Sequence, residues 1–298
     1  MHILITGGTG FIGKELHTFL VQNGHQVKIL SRKGGDYSWN LEQKTIDSNT
    51  LDGIDCIVHL AGAGIADKRW TSARKAELIA SRVESTHLLL ELLKSTPNQV
   101  KNFVSASAIG FYGADSGEQV CTEGSPAGND FLAECTQKWE KAVDQIANLG
   151  IRTVKVRIGL VLSEKGGIFP VLARPIRWGV GTVLGTGKQW QSWIHLSDLV
   201  RIFQWCLENN AAQGAYNAVA PQPIRHKEMT QLMAKKMHRP LFLPAIPTFF
   251  LRLVLGEMSV LVTGGNRVSS DRIQKEANFS FRFVEFSTAL AEILSHDV

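Results

Sequence analysis

Tyrosine and cysteine are both scarce in this chain of 298 residues, with three of the first and four of the second. Cys56, Cys121, Cys135 and Cys206 lie far apart, which excludes a CxxC metal pair and the dense disulfide framework of a small secreted domain. Four reduced thiols in a cytoplasmic protein is the expectation that follows. Long apolar runs are missing too. Leu241 to Val262 is the one membrane candidate, and Pro244, Pro247, Arg252 and Glu257 interrupt it. The stretch therefore predicts a partly buried helix around Phe249, Phe250, Leu253 and Val254 rather than a span, and no membrane partner is expected. The chain enters a strand pattern at His2, which leaves no room for a charged leader and cleavage site. No HxH or HExxH spacing occurs among nine histidines, so no metal is expected. A net charge of +5 is spread without a basic block, which argues against nucleic acid and agrees with a small, phosphate-bearing ligand.

What is present is a chain with 44% hydrophobic residues, enough for a sizeable core. Short β-rich runs at 2 to 6, 26 to 30, 54 to 60, 102 to 106 and 152 to 157 alternate with helical patterns, the signature of βαβ units. Leu16, Phe19 and Leu20 repeat at helical spacing before Gly24, and Leu88, Leu89, Leu92 and Leu93 do so before Pro97. Past residue 163 the texture changes to Gly-rich loops, a helix near 197 to 209, a proline-marked stretch and a closing helix at 285 to 295. The fold class expected is α/β, a Rossmann-type doubly wound parallel sheet over 1–162. A smaller, mixed C-terminal lobe over 163–298 sits on the substrate side and returns some elements to the sheet.

The run Ile3-Leu-Ile-Thr-Gly7-Gly-Thr-Gly10-Phe-Ile-Gly13 places three glycines between a strand and an amphipathic helix. Gly7 permits a tight turn, Gly10 lets the backbone approach a pyrophosphate, and Gly13 lets the helix pack against the sheet, with its N-terminus toward the anion. At the end of the second strand a carboxylate would select NAD by accepting from the ribose 2′-hydroxyl. The chain reads Leu30-Ser31-Arg32-Lys33 instead, where Arg32 can fork onto a 2′-phosphate and Ser31 can add a hydroxyl, so NADP is the expected cofactor. Asp36 nearby argues the other way.

The loop GGTGFIG, the strand end His59-Leu-Ala-Gly62 and the strand Phe103-Val-Ser-Ala-Ser107 together resemble the extended short-chain dehydrogenase/reductases. Arg69-Trp70, Arg82-Val-Glu-Ser-Thr86, Trp139-Glu140, Ser192-Trp-Ile-His195 and Asp198 resemble more specifically an atypical branch, the putative nucleoside-diphosphate-sugar epimerases, nearly end to end. The resemblance implies a cofactor site lined by Thr9, Gly10, Phe11, Ile12, Gly13, Ser31, Arg32, Leu60, Ala61, Glu77, Arg82 and Leu160. Glu77 and Arg82 read equally well as a solvated ion pair.

In that superfamily the proton is moved by a tyrosine whose pKa a lysine four residues later lowers. Tyr37, Tyr112 and Tyr216 are the only tyrosines, and none is followed by such a lysine. Aligned on Glu140, Leu132 and Thr136 stand at the expected positions. The catalytic candidates that remain are Ser107, to bond a substrate oxygen, and Tyr112, to supply a phenol. Glu134 and Lys138 are replacement titratable groups or a helix-surface pair. Trp193 and His195 precede a helix capped by Ser197 or Asp198, with His195 a second acid/base or a structural histidine. Arg174, Arg177 and Lys188 around the Gly179–Gly187 loop can hold a second phosphate or merely flank a flexible lid. Two functions follow. One is an NADP-dependent epimerase- or reductase-like enzyme that transfers hydride to or from a small carbonyl or nucleotide-sugar-like substrate. The other is a non-catalytic NADP-binding sensor or scaffold. A homodimer is common in the superfamily.

Overall fold

Ile3, Leu4 and Ile5 have no exposed surface, which is why the first strand is apolar without alternation: helices cover the sheet on both faces. The structure is a computed structural model that describes residues 1–295. Its first half runs β1 (His2–Thr6), α1 (Phe11–Gln22), β2 (Gln26–Ser31), β3 (Tyr37–Asn40), β4 (Thr45–Ile46), β5 (Cys56–His59), α2 (Ser72–Ser95), β6 (Asn102–Ala108), β7 (Asp115–Cys121), α3 (Phe131–Ala147) and β8 (Arg152–Ile158). It continues through β9 (Leu160–Ser163), β10 (Gly166–Gly167), α4 (Phe169–Arg177), β11 (Trp190–Gln191), β12 (Trp193–His195), α5 (Leu196–Glu208), β13 (Gly214–Ala218), β14 (Ile224–Arg225) and α6 (His226–Lys236). The remainder is α7 (Thr248–Leu255), α8 (Val260–Thr263), β15 (Gly265–Val268), α9 (Asp271–Ala277) and α10 (Phe286–Ser295).

One sheet of eight strands, ordered β13-β8-β6-β5-β1-β2-β3-β4, holds the molecule, and all its pairings are parallel except β3 with β4. α1 packs with α5 on one face, and α2 with α3 on the other. The expected doubly wound sheet is therefore what the chain forms. After β1 the chain adds β2 and β3 on one side, then crosses to add β5, β6, β8 and β13 on the other. That reversal opens a crevice at the carboxyl ends of β1 and β5, where such sheets bind ligands. The chain crosses residue 162 twice, because β13 and α5 belong to the sheet while β7 pairs with β15 of the lobe.

The lobe has its own apolar cluster, in which Leu162, Phe169, Ile176, Trp193, Met229 and Phe286 pack together. Asp198, fully buried on α5, ties it down: its carboxylate accepts from the amides of Arg282 and Phe283 at 3.0 Å each and from Arg201 at 2.7 Å. Contrary to the expected cap, α5 is capped by His195, whose Nδ1 accepts from the Ser197 amide. A larger departure concerns α7, of which only Leu251 is buried; Phe249, Phe250, Leu253 and Val254 face outward.

Beneath the crevice, His59 is fully buried and pins three elements, with Nδ1 2.7 Å from Thr6 Oγ1 of β1 and Nε2 3.2 Å from the hydroxyls of Ser85 and Thr86 on α2. Burial, aided by the Arg82 charge, pushes its pKa down to about 3, and burial takes His226 down to about 4. Below the ordinary histidine value near 6.5 the unfolded chain binds protons that the fold refuses, so stability is greatest above that pH and falls as pH drops toward these values. Urea unfolding at about pH 7, 6 and 5 should reveal a loss approaching about 1.4 kcal/mol per pH unit for each ring, and His59→Gln should remove about one proton from the slope. A pH-independent stability would mean that the buried rings carry charge in the fold.

Candidate functional site

Gly7 follows β1 with φ +69°, and a Cβ there would lie 2.9 Å from the Leu60–Ala61 backbone at the end of β5. A Cβ on Gly13 would fall well inside contact distance of the Gly7 carbonyl oxygen. These two glycines let β1, β5 and the start of α1 meet backbone to backbone. Gly10 caps α1 without any side-chain hydrogen bond to the first turn, which leaves helix amides and the positive dipole end at the crevice. Thr9 and Gly10 are exposed there and Ile12 half-buried, while the ring of Phe11 packs on the Gly166–Gly167 turn. Ala61 is held by its amide's 3.3 Å bond to Thr6 Oγ1.

At the end of β2, Arg32 is exposed, while the buried Ser31 donates its hydroxyl to the Lys33 carbonyl at 2.7 Å. Asp36 is already engaged by its own chain: it accepts from the Ile29 amide at 2.8 Å and from Lys28 at 3.0 Å. Those two bonds outweigh partial burial and hold its carboxyl below the ordinary range. Glu77 does not pair with Arg82; it bonds Arg74 at 2.8 Å, and Lys68 and Arg32 add to the positive charge around it. Arg82 donates to the Leu78 carbonyl at 2.9 Å, lies over Trp139 at 5.2 Å and borders Gly62.

Arg82 and Leu160 also share the wall of a cavity of about 260 Å³ at the carboxyl ends of β6 and β8. Its apolar wall includes Ile109, Leu132, Ile158, Trp190 and Leu261, and its polar groups include Thr136, Gln191 and Ser192. Two wall residues, Trp139 and Asn266, each carry a buried polar atom, Nε1 and Oδ1, with no protein partner among the described residues. One is a donor and the other an acceptor, and both atoms lie beneath the surface of the wall. Among the described residues Arg82 is the only side chain of charged type in this wall, which holds the Cys135 thiol but no Tyr, Lys, His, Asp or Glu.

The chain belongs to the NAD-dependent epimerase/dehydratase family. The family model of that description matches residues 3–219, and a domain of unknown function, DUF1731, matches 246–293. The epimerase family protein YfhF of Bacillus subtilis is 35% identical over 99% of this chain and 98% of its own length. Among solved structures, the human epimerase family protein SDR39U1 (isoform 2), determined with NADPH, superposes with a TM-score of 0.89 at 32% identity, covering 99% of both chains. A nucleoside-diphosphate sugar epimerase from Corynebacterium glutamicum gives 0.80 at 32% identity, over 99% of this chain and 58% of that one.

In this family member the two catalytic candidates lie behind the cavity rather than on its wall. Ser107, buried, donates to Glu140 Oε1 at 2.6 Å, and Glu140 is gripped by Arg157 through Nε at 2.8 Å and Nη2 at 2.9 Å. Arg157 lies 3.5 Å from the Phe111 ring centre and bonds the Tyr112 hydroxyl at 3.0 Å. That hydroxyl donates to Asn217 at 2.7 Å, and burial pushes the phenol up to about 12 despite Arg157. The Tyr112 hydroxyl is thus engaged by Arg157 and Asn217 and does not line the cavity. Leu132 and Thr136 both line the cavity, and the Thr136 hydroxyl donates to the Leu132 carbonyl at 2.8 Å.

The other candidates lie outside this cavity. Glu134 and Lys138 form an exposed pair at 2.6 Å. His195 bonds Ser197 and Glu292 away from the cavity, and Trp193 donates to the Gln222 carbonyl at 3.0 Å. Arg174 stacks on Trp178 at 4.6 Å, and neither it nor Arg177 or Lys188 reaches the cavity wall. Sequence reasoning missed Arg157, Asn217 and Asn266. A charged residue inside β8, read as buried rather than outward-facing, was the available signal for the first.

Glu140→Ala would leave the Arg157 charge buried without its partner and should cost about 3–5 kcal/mol, while Ser107→Ala removes one bond to a charged group and should cost about 1.5–3 kcal/mol. Denaturant unfolding of both variants checks the ranking; equal, small losses would mean that the network is hydrated.

Proposed function

We propose that this protein binds NADP across the β1/β5 crevice and exchanges hydride between the cofactor and a small carbonyl compound held in the neighbouring cavity. The observation that carries the reading is the pairing of an exposed Arg32 with an Asp36 whose carboxylate is already occupied by Lys28 and Ile29. The glycine contacts and the uncapped start of α1 fit a pyrophosphate, the Leu60–Ala61 edge fits the adenosine half, and Arg32 with Ser31 fits a 2′-phosphate. When bound, the nicotinamide would supply or accept the hydride. Arg82 would place a positive charge beside the reacting end, and Thr136 and Gln191 of the wall would offer polar contacts to the occupant.

The apolar lining and the volume of about 260 Å³, below the ~300–1,000 Å³ usual for ligand sites, support a compact carbonyl compound over a nucleotide sugar. One observation favours a second reading, a non-catalytic NADP sensor: among the described residues the wall holds no Tyr, Lys, His, Asp or Glu, and burial pushes its one thiol, Cys135, up despite the nearby Arg82. A reductase on this wall would draw its proton from water.

Fluorescence titration of cofactor-stripped protein with NADPH and NADH, alongside Arg32→Ala, tests the binding. NADPH should bind tighter, and Arg32→Ala should erase roughly tenfold to a hundredfold of that preference. Equal affinity for both cofactors in the unaltered protein would sink the NADP reading. Consumption of bound NADPH with any member of a small-carbonyl panel then separates enzyme from sensor.

A further inference from the structure

α7 and the loop before it form the least covered part of the molecule. Phe249 is 74% exposed, Leu253 73% and Phe242 70%, and Trp178 at the end of α4 is 67% exposed. The two segments run side by side: Thr182 Oγ1 donates to the Pro244 carbonyl at 2.6 Å, and the Ile246 amide to the Val183 carbonyl at 2.9 Å. Large exposed apolar side chains are thus concentrated on two segments that run side by side.

The charges on these segments have one sign. Residues 235–256 contain Lys235, Lys236, Arg239 and Arg252 and no Asp or Glu, and residues 165–188 contain Arg174 and Lys188 among their basic residues and again no acid. A second copy of the chain is a poor cover, since a two-fold contact would set these like charges against each other. Large outward aromatic and leucine side chains mixed with lysine and arginine form the pattern of a segment seated at the headgroup boundary of a bilayer. We propose that this face is a docking surface for an anionic lipid membrane. Among the described residues no helix is long and apolar enough to cross one, so the chain lies on the bilayer. α7 leads through Gly256 into Val260 and Leu261 of the cavity wall, which places the cavity beside the docked face.

Co-sedimentation of the whole protein with phosphatidylcholine vesicles, with and without about one third phosphatidylglycerol, tests this. Binding should require phosphatidylglycerol and weaken with salt. Arg239→Gln/Arg252→Gln should lower the partition coefficient roughly fivefold per charge removed, and Phe249→Ser/Phe250→Ser should abolish binding, while both variants keep the thermal unfolding of the parent. No partition of folded protein onto these vesicles at low salt overturns the proposal. Equal retention by poly-L-glutamate, indifferent to the aromatic change, would assign the face to an acidic polypeptide. A dimer in light scattering that Phe249→Ser/Phe250→Ser dissociates would assign it to a second copy.

Discussion

The approach of three backbone segments at the carboxyl ends of β1 and β5 is the constraint on which the functional end of the molecule rests. With Cβ atoms at Gly7 and Gly13, β1 could not lie this near the Leu60–Ala61 edge, nor α1 this near the loop. Because they meet, the uncapped helix start, the edge beside it and the Arg32 corner all open on one crevice. His59 holds the same junction from below as an uncharged ring bonded to β1 and α2, so the junction needs no charged group of its own.

The polar groups around the cavity are divided by depth. Ser107, Glu140, Arg157, Tyr112 and Asn217 satisfy one another behind the wall, where loss of any one strands a buried partner. The wall itself is left with Arg82, a few committed hydroxyls and two orphan atoms on Trp139 and Asn266. The phenol nearest the cavity, that of Tyr112, belongs to the supporting network rather than to the wall.

β1, β5 and β6 were legible because their centres are buried on both faces and read as short apolar or small-residue runs, and β2 and β8 because β-branched residues recur in them between helical patterns. β3 and β13 were not, being short segments at or near the sheet's edges: Gly-Ala-Tyr-Asn-Ala becomes a strand only because β8 offers it a partner. The glycine loop and Arg32 were legible because their chemistry is local to the chain. Asn266 was not, since its isolation depends on Ile109 and Gly113, more than a hundred residues earlier, taking its amide protons. α7 misled for a related reason. Apolar content predicts a helix there, but what that helix faces is decided by the rest of the fold, and only Leu251 turns inward.

Asp36 has a wider consequence. The carboxylate that would speak for one cofactor is present near the end of β2, yet it has been taken out of use by a neighbouring lysine and one peptide amide. Residue type at that corner is therefore an incomplete record of preference, because the deciding quantity is the direction in which the acid points. Removing the lysine that holds this acid would alter the charge presented at the corner while leaving the acid itself in place.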